Sequence, residues 1–466
     1  MPPRFTYLII GAGPTGLGAA YRLQELGEQD FLIVDKANHA GGLASSVVDP
    51  KGFTWDIGGH VHFSHYPYYD QMLERVLGSD NWYEHARVSA AWMQERFVPY
   101  PVQHHLHHLP PTKAARALYG LVQAQKRQGV PPAHFGEWVH ANFGRGLAEL
   151  FMLPYNTKVW AWPPDSMSYS WLGERVAKPS VSQALSNMLQ GRSQSTWGPN
   201  RTFRFPMRGG TGSIWRAVAE KIPAQNVAYR TSVATIDTDK KVVHTSDGAT
   251  YQYEHILNTA PLTQLCNMLT PQLPTSSQQA AKQLRHSSVH IVGLGLNGAV
   301  PEHVRGKSWM YFPEANCPFY RATVFSGYSP AHVPDPTRQW SLMTETSSSP
   351  WKPVDQNTLV EETIQGCLNT RLIRSRDDIV SVWTHTAKHG YPTPSLARDD
   401  ALNELIPTLE ERGIASRGRF GGWKYEVSNQ DHSFMQGVEW ADRMINGTPE
   451  VTYFYPDTVN TRTPRS

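Results

Sequence analysis

The sequence predicts an α/β fold, because three kinds of segment occur in it. An apolar strand at residues 7–10 runs straight into a G-x-G-x-x-G motif at Gly11, Gly13 and Gly16. Amphipathic helical segments follow in the first half of the 466-residue chain, and apolar strand-like segments occupy much of the second half. A chain of this length exceeds one hydrophobic core, so we expect two or three domains.

The glycine motif predicts a dinucleotide-binding unit. Gly11 permits the tight turn after the strand, Gly13 lets a pyrophosphate approach the backbone, and Gly16 lets the next helix pack on the sheet. That helix, predicted over residues 17–27, presents its N-terminal amides to the phosphates. A second strand ends at Asp35, which is placed to accept hydrogen bonds from a ribose. The ordered series of strand, turn, helix, strand and acid favours this interpretation over a chance glycine turn.

A second glycine-rich segment indicates which dinucleotide binds. Residues 39–45 include Gly42 and Ser45, and they resemble a segment that passes near FAD in the amine oxidase and glutathione reductase families. A predicted hairpin that begins at Val233, and an apolar strand that leads to Pro261, resemble the elements that complete that domain. The resemblance implies a Rossmann-like domain with FAD, rather than NAD, as its bound cofactor.

Composition and cysteine usage exclude several classes of protein. The net charge is +3 and no basic block occurs, so we predict no nucleic-acid partner. Cys266, Cys317 and Cys367 are far apart and odd in number, which predicts a reducing compartment without a disulfide framework. No apolar run reaches the ~18–20 residues of a membrane span, and the first strand begins too near Met1 for a cleavable signal peptide. We therefore expect a cytoplasmic protein.

The predicted domains interleave along the chain. We expect these segments in order: FAD-binding domain at 1–90, helical substrate-binding domain at 91–204, FAD-binding domain at 205–285, antiparallel β-sheet domain at 286–414, and FAD-binding domain at 415–466. Helices of the insert are predicted over residues 111–128 and 135–155, the second ended by Pro154. Predicted strands of the sheet domain lie at 290–296, 309–312, 320–325 and 340–346. This sheet is expected to flank the cofactor.

Longer motifs carry the functional signal. They lie at residues 58–66 (GGHVHFSHY), 98–103, 151–160, 171–176, 316–323, 389–392 and 423–433. Together they resemble the longer, eukaryotic-type UDP-galactopyranose mutases, from Tyr7 to about Asn460. The resemblance implies a flavin-dependent enzyme that interconverts UDP-galactopyranose and UDP-galactofuranose through a reduced-flavin N5–C1 sugar adduct, without net redox. It also implies NADPH or NADH as reductant and a part in galactofuranose biosynthesis for the cell wall.

The same resemblance implies a catalytic group of three residues. A UDP-sugar carries two phosphate charges, for which guanidinium groups are well suited. Arg175 and Arg321 are the implied clamp on the diphosphate. Because negative charge grows on the departing UDP, such a clamp also stabilises the transition state. His60 is implied to lie beside the isoalloxazine, in a loop that shifts with the redox state of the flavin.

The remaining implied site residues form two sets. The substrate contacts are Tyr100 and Gln103 for the uracil, Asn156 and Trp160 for the nucleoside region, Tyr311, Tyr391 and Tyr425 for the phosphates, and Phe151 and Asn200. The cofactor contacts in the last segment are Arg419, Asn429, Gln430 and Ser433. Three positions depart from the family pattern, namely His62, where an aliphatic residue is usual, Trp162 and Gly327.

Two groups of histidines have a second interpretation as metal ligands. His104, His105, His107 and His108 are dense in sequence, but no carboxylate or cysteine partners are evident, which favours a solvated cluster. His60, His62 and His65 also have a ligand-like spacing, whereas the resemblance favours a flavin-facing loop and no metal.

Alternatives to the mutase function remain. Cys317 is either a nucleophile or a buried structural thiol. The structural role is favoured because no base is assigned to this residue. One alternative with the same fold is an FAD-dependent amine or porphyrinogen oxidase. Another, of a different class, is a non-catalytic flavoprotein that binds a nucleotide sugar. A homo-oligomer is compatible with the sequence.

Overall fold

A computed structural model describes residues 2–126, 129, 131–173, 176–177, 179–191 and 201–461. The strands are β1 (Arg4–Ile10), β2 (Phe31–Asp35), β3 (Ser46–Val48), β4 (Thr54–Asp56), β5 (Trp82–Ala86), β6 (Ser89–Met93), β7 (Arg96–Pro99), β8 (Thr202–Pro206), β9 (Val227–Tyr229), β10 (Val233–Asp237), β11 (Val242–Thr245), β12 (Thr250–Asn258), β13 (Leu269–Thr270), β14 (Arg285–Asn297), β15 (Trp309–Tyr311), β16 (Arg321–Val324), β17 (Gln339–Ser348), β18 (Ile379–Thr393) and β19 (Ile414–Ser416).

The helices are α1 (Pro14–Glu25), α2 (Pro67–Leu77), α3 (Pro111–Lys126), α4 (Phe135–Leu147), α5 (Leu153–Trp160), α6 (Val181–Gln190), α7 (Gly212–Ala219), α8 (Leu262–Met268), α9 (Thr275–Gln283), α10 (Leu359–Asn369), α11 (Arg398–Glu410), α12 (Gly418–Gly421), α13 (Gln430–Asn446), α14 (Val451–Phe454) and α15 (Pro456–Asn460). In the described part of the chain, no helix is both long and apolar enough to cross a membrane.

The first sheet has a parallel centre covered by helices on both faces. Strands β19, β12, β1, β2 and β9 run parallel, and the hairpin β10–β11 extends the sheet beyond β12. Along β1, Tyr7 and Ile9 pack towards α1, α2, α7 and α13, whereas Leu8 and Ile10 pack towards α8, α9 and α11. This alternation is the two-residue period of a strand buried on both sides. The predicted α/β fold is confirmed.

The second sheet has the order β18-β14-β17-β16-β15-β6-β7. Its pairs are antiparallel except for β6 and β15, which run parallel. The register places Tyr311 opposite Arg321 and Arg321 opposite Glu345. Because directly opposed residues of neighbouring strands share a face, these three side chains form one row across the sheet.

The two ends of the helical insert lie beside strands of the sheets. Strands β6 and β7 belong to the second sheet, and β5 pairs with β8 so that Ala86 lies opposite Thr202. Helices α3 and α4 pack together around a core that includes Leu121 and Phe143. The predicted domain boundaries at 90, 204, 285 and 414 stay predictions.

Two helices differ in their bounds from those predicted. Helix α1 begins at Pro14 rather than residue 17, with Pro14 in its first turn, where a missing N–H costs nothing. The second insert helix does not end at Pro154. A π-helical turn at Ala148–Met152 precedes α5, so Pro154 lies in the first turn of a new helix that continues to Trp160.

Candidate functional site

The turn after β1 forms a glycine cradle with the turn at Gly41 and Gly42. A Cβ atom on Gly16 would overlap the carbonyl oxygen of Gly11, so the chain's own packing requires Gly16. Gly13 is different, because a Cβ built on it would meet no atom nearer than the Cα of Gly42, at 4.0 Å. The Gly41 amide donates to the Ala12 carbonyl over 2.8 Å and so holds the two turns together. This open space at the N-terminus of α1 fits the pyrophosphate of a dinucleotide.

Asp35 braces the glycine cradle from the end of β2. Its Oδ2 accepts from the Ala12 amide at 2.6 Å, and its Oδ1 accepts from the Ala37 amide at 2.7 Å. Each carboxylate oxygen keeps a second acceptor position, which suits a ribose hydroxyl. The predicted contact with the cofactor's ribose stays a prediction.

The other predicted cofactor residues are spread over three elements. Ser45 follows the second glycine turn and is buried, and Val233 begins β10. At the start of α13, Asn429 is the N-cap, the Gln430 side chain accepts from the Trp215 indole at 2.7 Å, and the Ser433 amide donates to the Asn429 carbonyl. Helix α13 packs along α1. This packing brings the last segment of the chain to the helix that carries the glycine cradle.

Arg419 lies where the predicted cofactor and substrate sets meet. Its guanidinium donates to the Gly390 carbonyl over 2.9 Å and to the Ser428 hydroxyl over 2.9 Å. It also lies 5.1 Å from the ring centre of Tyr391 and 5.8 Å from that of Tyr425. A predicted FAD contact therefore adjoins two predicted phosphate contacts.

Most of the predicted substrate residues converge in one aromatic cluster. Its members are Tyr100, Phe151, Tyr155, Trp160, Trp171, Tyr311, Tyr391 and Tyr425. Ring centroids of Tyr100 and Tyr311 are 5.1 Å apart, and those of Trp160 and Tyr425 are 4.9 Å apart. The indole N–H of Trp160 is buried and has no hydrogen-bond acceptor among the described residues. The cluster thus offers flat surfaces and one donor without an acceptor.

Sequence reasoning missed two members of the aromatic cluster. Tyr155 stacks on Phe151 with centroids 5.3 Å apart and also meets Tyr311 at 5.3 Å. Trp171 meets Trp160 at 4.9 Å. Both lie inside motifs that the resemblance identified, so their position in those motifs was the available signal.

Two predicted amide contacts are engaged with the backbone. The Gln103 side chain donates to the Ala177 carbonyl over 2.7 Å, and the Asn156 side chain donates to the Met152 carbonyl over 2.8 Å. Both residues are buried. Arg175 and Asn200, the other predicted members of the site, lie outside the described residues.

Arg321 is held by a carboxylate that sequence reasoning missed. Its Nε donates to Glu345 Oε1 and its Nη2 donates to Glu345 Oε2, each over 2.7 Å. Oε2 also accepts from the Tyr320 hydroxyl at 2.8 Å, and Oε1 accepts from the Gly59 amide at 3.1 Å. The available signal was a single acid in the otherwise uncharged segment 339–348.

The Arg321–Glu345 pair is ionised and buried. Burial acts to raise the pKa of Glu345, but the Arg321 guanidinium and its hydrogen bonds outweigh burial, so the net shift is downward. Burial acts to lower the pKa of Arg321, but the charges of Glu345 and of the neighbouring tyrosines outweigh it, so the net shift is upward. The side chains are only 16% and 3% exposed. A bidentate, charge-assisted pair of this kind fixes the orientation of the guanidinium.

His60 belongs to a histidine loop, residues 58–60, that rests on this pair. A Cβ on Gly59 would lie 3.1 Å from Glu345 Oε1 and 3.4 Å from Trp309 Nε1, so the loop packs tightly against the sheet at this residue. Nδ1 of His60 is buried without a hydrogen-bond partner among the described residues. Burial lowers the pKa of His60 to about 4, so its imidazole is neutral at pH 7.

The next histidines do not converge with His60. His62 approaches the Tyr69 hydroxyl at 3.2 Å and the Thr211 hydroxyl at 3.3 Å. His65 pairs instead with the Asp431 carboxylate at 2.9 Å. In the described ranges, the side chains that could share a metal are His65, Asp431 and His432, a different set from the one that sequence spacing suggested.

The prediction of a solvated cluster at residues 104–108 is wrong for His105, whereas His104, His107 and His108 are partly exposed. His105 is completely buried, and its Nδ1 lies 2.9 Å from the Pro101 carbonyl oxygen. The neighbouring Leu106 and Leu109 are buried in the core of the insert. Their burial places this segment against the core. The structural role favoured for Cys317 agrees with its burial, which raises the pKa of the thiol to about 11.

Comparisons with known proteins give a family match and similar solved structures. Residues 14–390 match the family described as flavin containing amine oxidoreductase. The chain is similar to the crystal structure of reduced UDP-galactopyranose mutase, with a TM-score of 0.94 and 43% identity over 98% of this chain and 99% of that one.

Two further solved structures share the fold. A putative protoporphyrinogen oxidase from Exiguobacterium sp. 255-15 has a TM-score of 0.73 and 15% identity over 95% of this chain and 99% of that one. Putrescine oxidase bound to putrescine has a TM-score of 0.66 and 14% identity over 96% of this chain and 100% of that one. At these identities the similarity is one of fold alone.

Proposed function

The chain belongs to the flavin-containing amine oxidoreductases and, within them, to the family of UDP-galactopyranose mutase, and we propose that it interconverts UDP-galactopyranose and UDP-galactofuranose. The observation that carries the proposal is the position of Arg321. It is a buried guanidinium in the same sheet row as Tyr311, beside the aromatic cluster, and it supports the histidine loop through Glu345.

The charge of the site suits a nucleoside diphosphate. Nε and Nη2 of Arg321 are committed to Glu345, which leaves the N–H groups of Nη1 for phosphate oxygens. Tyr391 and Tyr425 offer hydroxyl donors, and the rings of the aromatic cluster offer stacking surfaces for a base. A cationic amine substrate would be repelled by a fixed guanidinium of this kind. We propose Arg175 as the second half of the clamp.

The glycine cradle is the proposed place for the pyrophosphate of FAD. Gly13 and Gly42 leave the space, α1 directs its N-terminal amides there, and Asp35 suits a ribose hydroxyl. When bound and reduced, FAD supplies a nucleophile for the anomeric carbon and is regenerated unchanged, so the reaction has no net redox. NADPH or NADH is the proposed reductant.

The chain's own residues orient the substrate and stabilise charge. We propose that Arg321 binds the diphosphate and that its hydrogen bonds strengthen as UDP leaves. The neutral imidazole of His60 can donate or accept one hydrogen bond beside the flavin without adding a charge. The aromatic cluster excludes water around the sugar.

Three finer features of the proposal rest on the sequence. The length of the chain and its long motifs favour the eukaryotic type of mutase. The dispersed cysteines favour the cytoplasm. A homo-oligomer stays a prediction.

The test is the conversion of UDP-galactofuranose into UDP-galactopyranose by the FAD-loaded protein, with and without dithionite. We expect turnover only after reduction. The matched control is Arg338→Ala, which removes an exposed arginine from the same sheet domain and should leave turnover unchanged. Oxygen consumption with putrescine or a porphyrinogen, in the absence of mutase turnover, would favour an oxidase. Binding of UDP without either activity would favour the non-catalytic flavoprotein.

A further inference from the structure

Glu345 joins two parts of the site that are far apart in sequence. Its carboxylate accepts four hydrogen bonds, two from Arg321, one from the Tyr320 hydroxyl and one from the Gly59 amide. Since a carboxylate has about four lone-pair positions, these four donors fill it. Glu345 is 3% exposed, so water contributes little to satisfying it.

The sharing of Oε1 is the important detail. This oxygen accepts both from Nε of Arg321, at 2.7 Å, and from the amide of Gly59, at 3.1 Å. A negative ligand on Nη1 would compete with Glu345 for the guanidinium charge. Weaker engagement by Arg321 would leave more negative charge on Oε1 for the Gly59 amide. Ligand binding on one side of the carboxylate should therefore strengthen the hydrogen bond on the other side.

The histidine loop is joined to the sheet by the hydrogen bond that the Gly59 amide donates to Glu345. Gly58 has a φ of +101° and Gly59 lies against Glu345, Thr323 and Trp309, so the loop is shaped to the sheet. The next amide, that of His60, donates back to the Gly58 carbonyl over 3.0 Å. A change at Gly59 is thus passed directly to the His60 side chain.

We propose that Glu345 is a positioning residue that couples occupation of the diphosphate site at Arg321 to the ordering of the histidine loop. The inference rests on the proposed function for the identity of the ligand only. Glu345 itself is assigned no contact with substrate or cofactor. It acts through Arg321 on one side and through Gly59 on the other, and the coupling is reciprocal, so an ordered loop also favours the binding orientation of Arg321.

The experiment measures amide hydrogen exchange of the peptide that contains residues 58–60, in the FAD-loaded protein, with and without UDP. Glu345→Gln keeps the size of the side chain and removes its charge. Without ligand, we expect exchange of this peptide to be about 10- to 100-fold faster in Glu345→Gln, because a hydrogen bond to a charged acceptor is lost. Adding UDP should slow exchange in the wild type and should have little effect in the variant. Glu302→Gln, at an exposed acid, should behave as the wild type.

Arg321→Lys provides a second route if Glu345→Gln does not fold. Lysine keeps the positive charge but cannot make the two parallel bonds, so its pairing with Glu345 is looser. The loop should then exchange more slowly than in the wild type before UDP is added, and UDP should have a smaller effect on it. In steady-state assays, Glu345→Gln should lower kcat at least tenfold more than it raises KM, because orientation of the clamp is lost while its charge remains.

Two results would overturn the coupling. One is equal slowing by UDP in the wild type and in Glu345→Gln, which would mean that the ligand covers the loop directly. The other is unchanged loop exchange in ligand-free Glu345→Gln. The ligand-free comparison does not depend on the substrate, so it separates this inference from the proposed function. If wild-type protein binds no UDP by calorimetry, the proposed function fails, and the ligand side of the coupling fails with it.

Discussion

Removal of Arg321 should strongly lower the stability of the protein, because it strands a buried carboxylate. In Arg321→Ala, Glu345 loses two of its four hydrogen bonds and its only described ion-pair partner while it stays 3% exposed. An uncompensated buried charge of this kind costs about 3–5 kcal/mol. We therefore expect the free energy of unfolding to fall by that amount in urea titrations of the FAD-loaded protein.

A double variant tests the cause of this loss. In Arg321→Ala/Glu345→Gln the stranded charge is gone and only a neutral amide remains underbonded, which costs about 1–3 kcal/mol. The double variant should thus be more stable than the single variant by about 2 kcal/mol. A single variant within 1 kcal/mol of the wild type, or a double variant no more stable than the single, would refute the reasoning.

Turnover of the same variants tests the catalytic part of the argument. By analogy with the loss of one preorganised donor to a developing negative charge, Arg321→Ala should lower turnover of UDP-galactofuranose by about 10²–10³, or about 3–4 kcal/mol. FAD content and reduction by dithionite should be retained. The control Arg338→Ala should lose neither stability nor turnover. Near-normal turnover of Arg321→Ala would mean that the diphosphate binds elsewhere in the protein.

Three further predictions address the cradle, the aromatic cluster and the histidine loop. Gly13→Val should fold but purify without yellow FAD, because its methyl groups enter the open space of the cradle; a fully loaded variant, judged by flavin absorbance, would contradict the placement. Tyr100→Ala should weaken UDP binding by about 1–3 kcal/mol, the scale of one base–aromatic stack, whereas Tyr119→Ala, at a tyrosine 67% exposed on α3, should not change the dissociation constant in calorimetry. Burial lowers the pKa of His62 from 6.5 to about 3 in the folded protein. The unfolded state therefore binds a proton more readily, and the free energy of unfolding falls as the pH falls below 6.5. Between pH 7 and pH 5 the wild type should lose about 2 kcal/mol more than His62→Ile in urea titrations, and parallel pH profiles would show that His62 is not the cause.

Local patterns were enough to predict the elements that form from neighbouring residues. Strand β10 begins at Val233, where the sequence predicts a hairpin to begin, because alternating apolar residues define β10 and β11 without reference to the rest of the chain. A turn at Asp247 and Gly248 then leads from β11 to β12. The turn after β1 was equally predictable, since each glycine there has a local role.

Tertiary context decided the elements that the sequence could not predict. Glu345 gains its role from the register of β16 on β17, which places it opposite Arg321, and no local pattern specifies that register. Pro154 lies in the first turn of α5, and a π-helical turn precedes that helix. A single sequence does not reveal such a turn. The polar side chains at 104–108 favour an exposed segment when the sequence is considered alone. His105 is buried because of the packing of the insert, which the sequence does not reveal.

The pairing of β5 with β8 has a consequence for how this molecule could diversify. Ala86 and Thr202 are cross-strand neighbours, so the two ends of the segment between them are adjacent, and within it strands β6 and β7 pair into the second sheet. A segment with adjacent ends can be lengthened or exchanged by recombination while the remaining chain keeps its course. Such an exchange would replace Tyr100, Phe151 and Trp160 together and leave the glycine cradle intact. Part of the aromatic cluster is in this way genetically separable from the glycine cradle, whereas Tyr311, Tyr391, Tyr425 and Arg321 belong to the part of the chain that would stay.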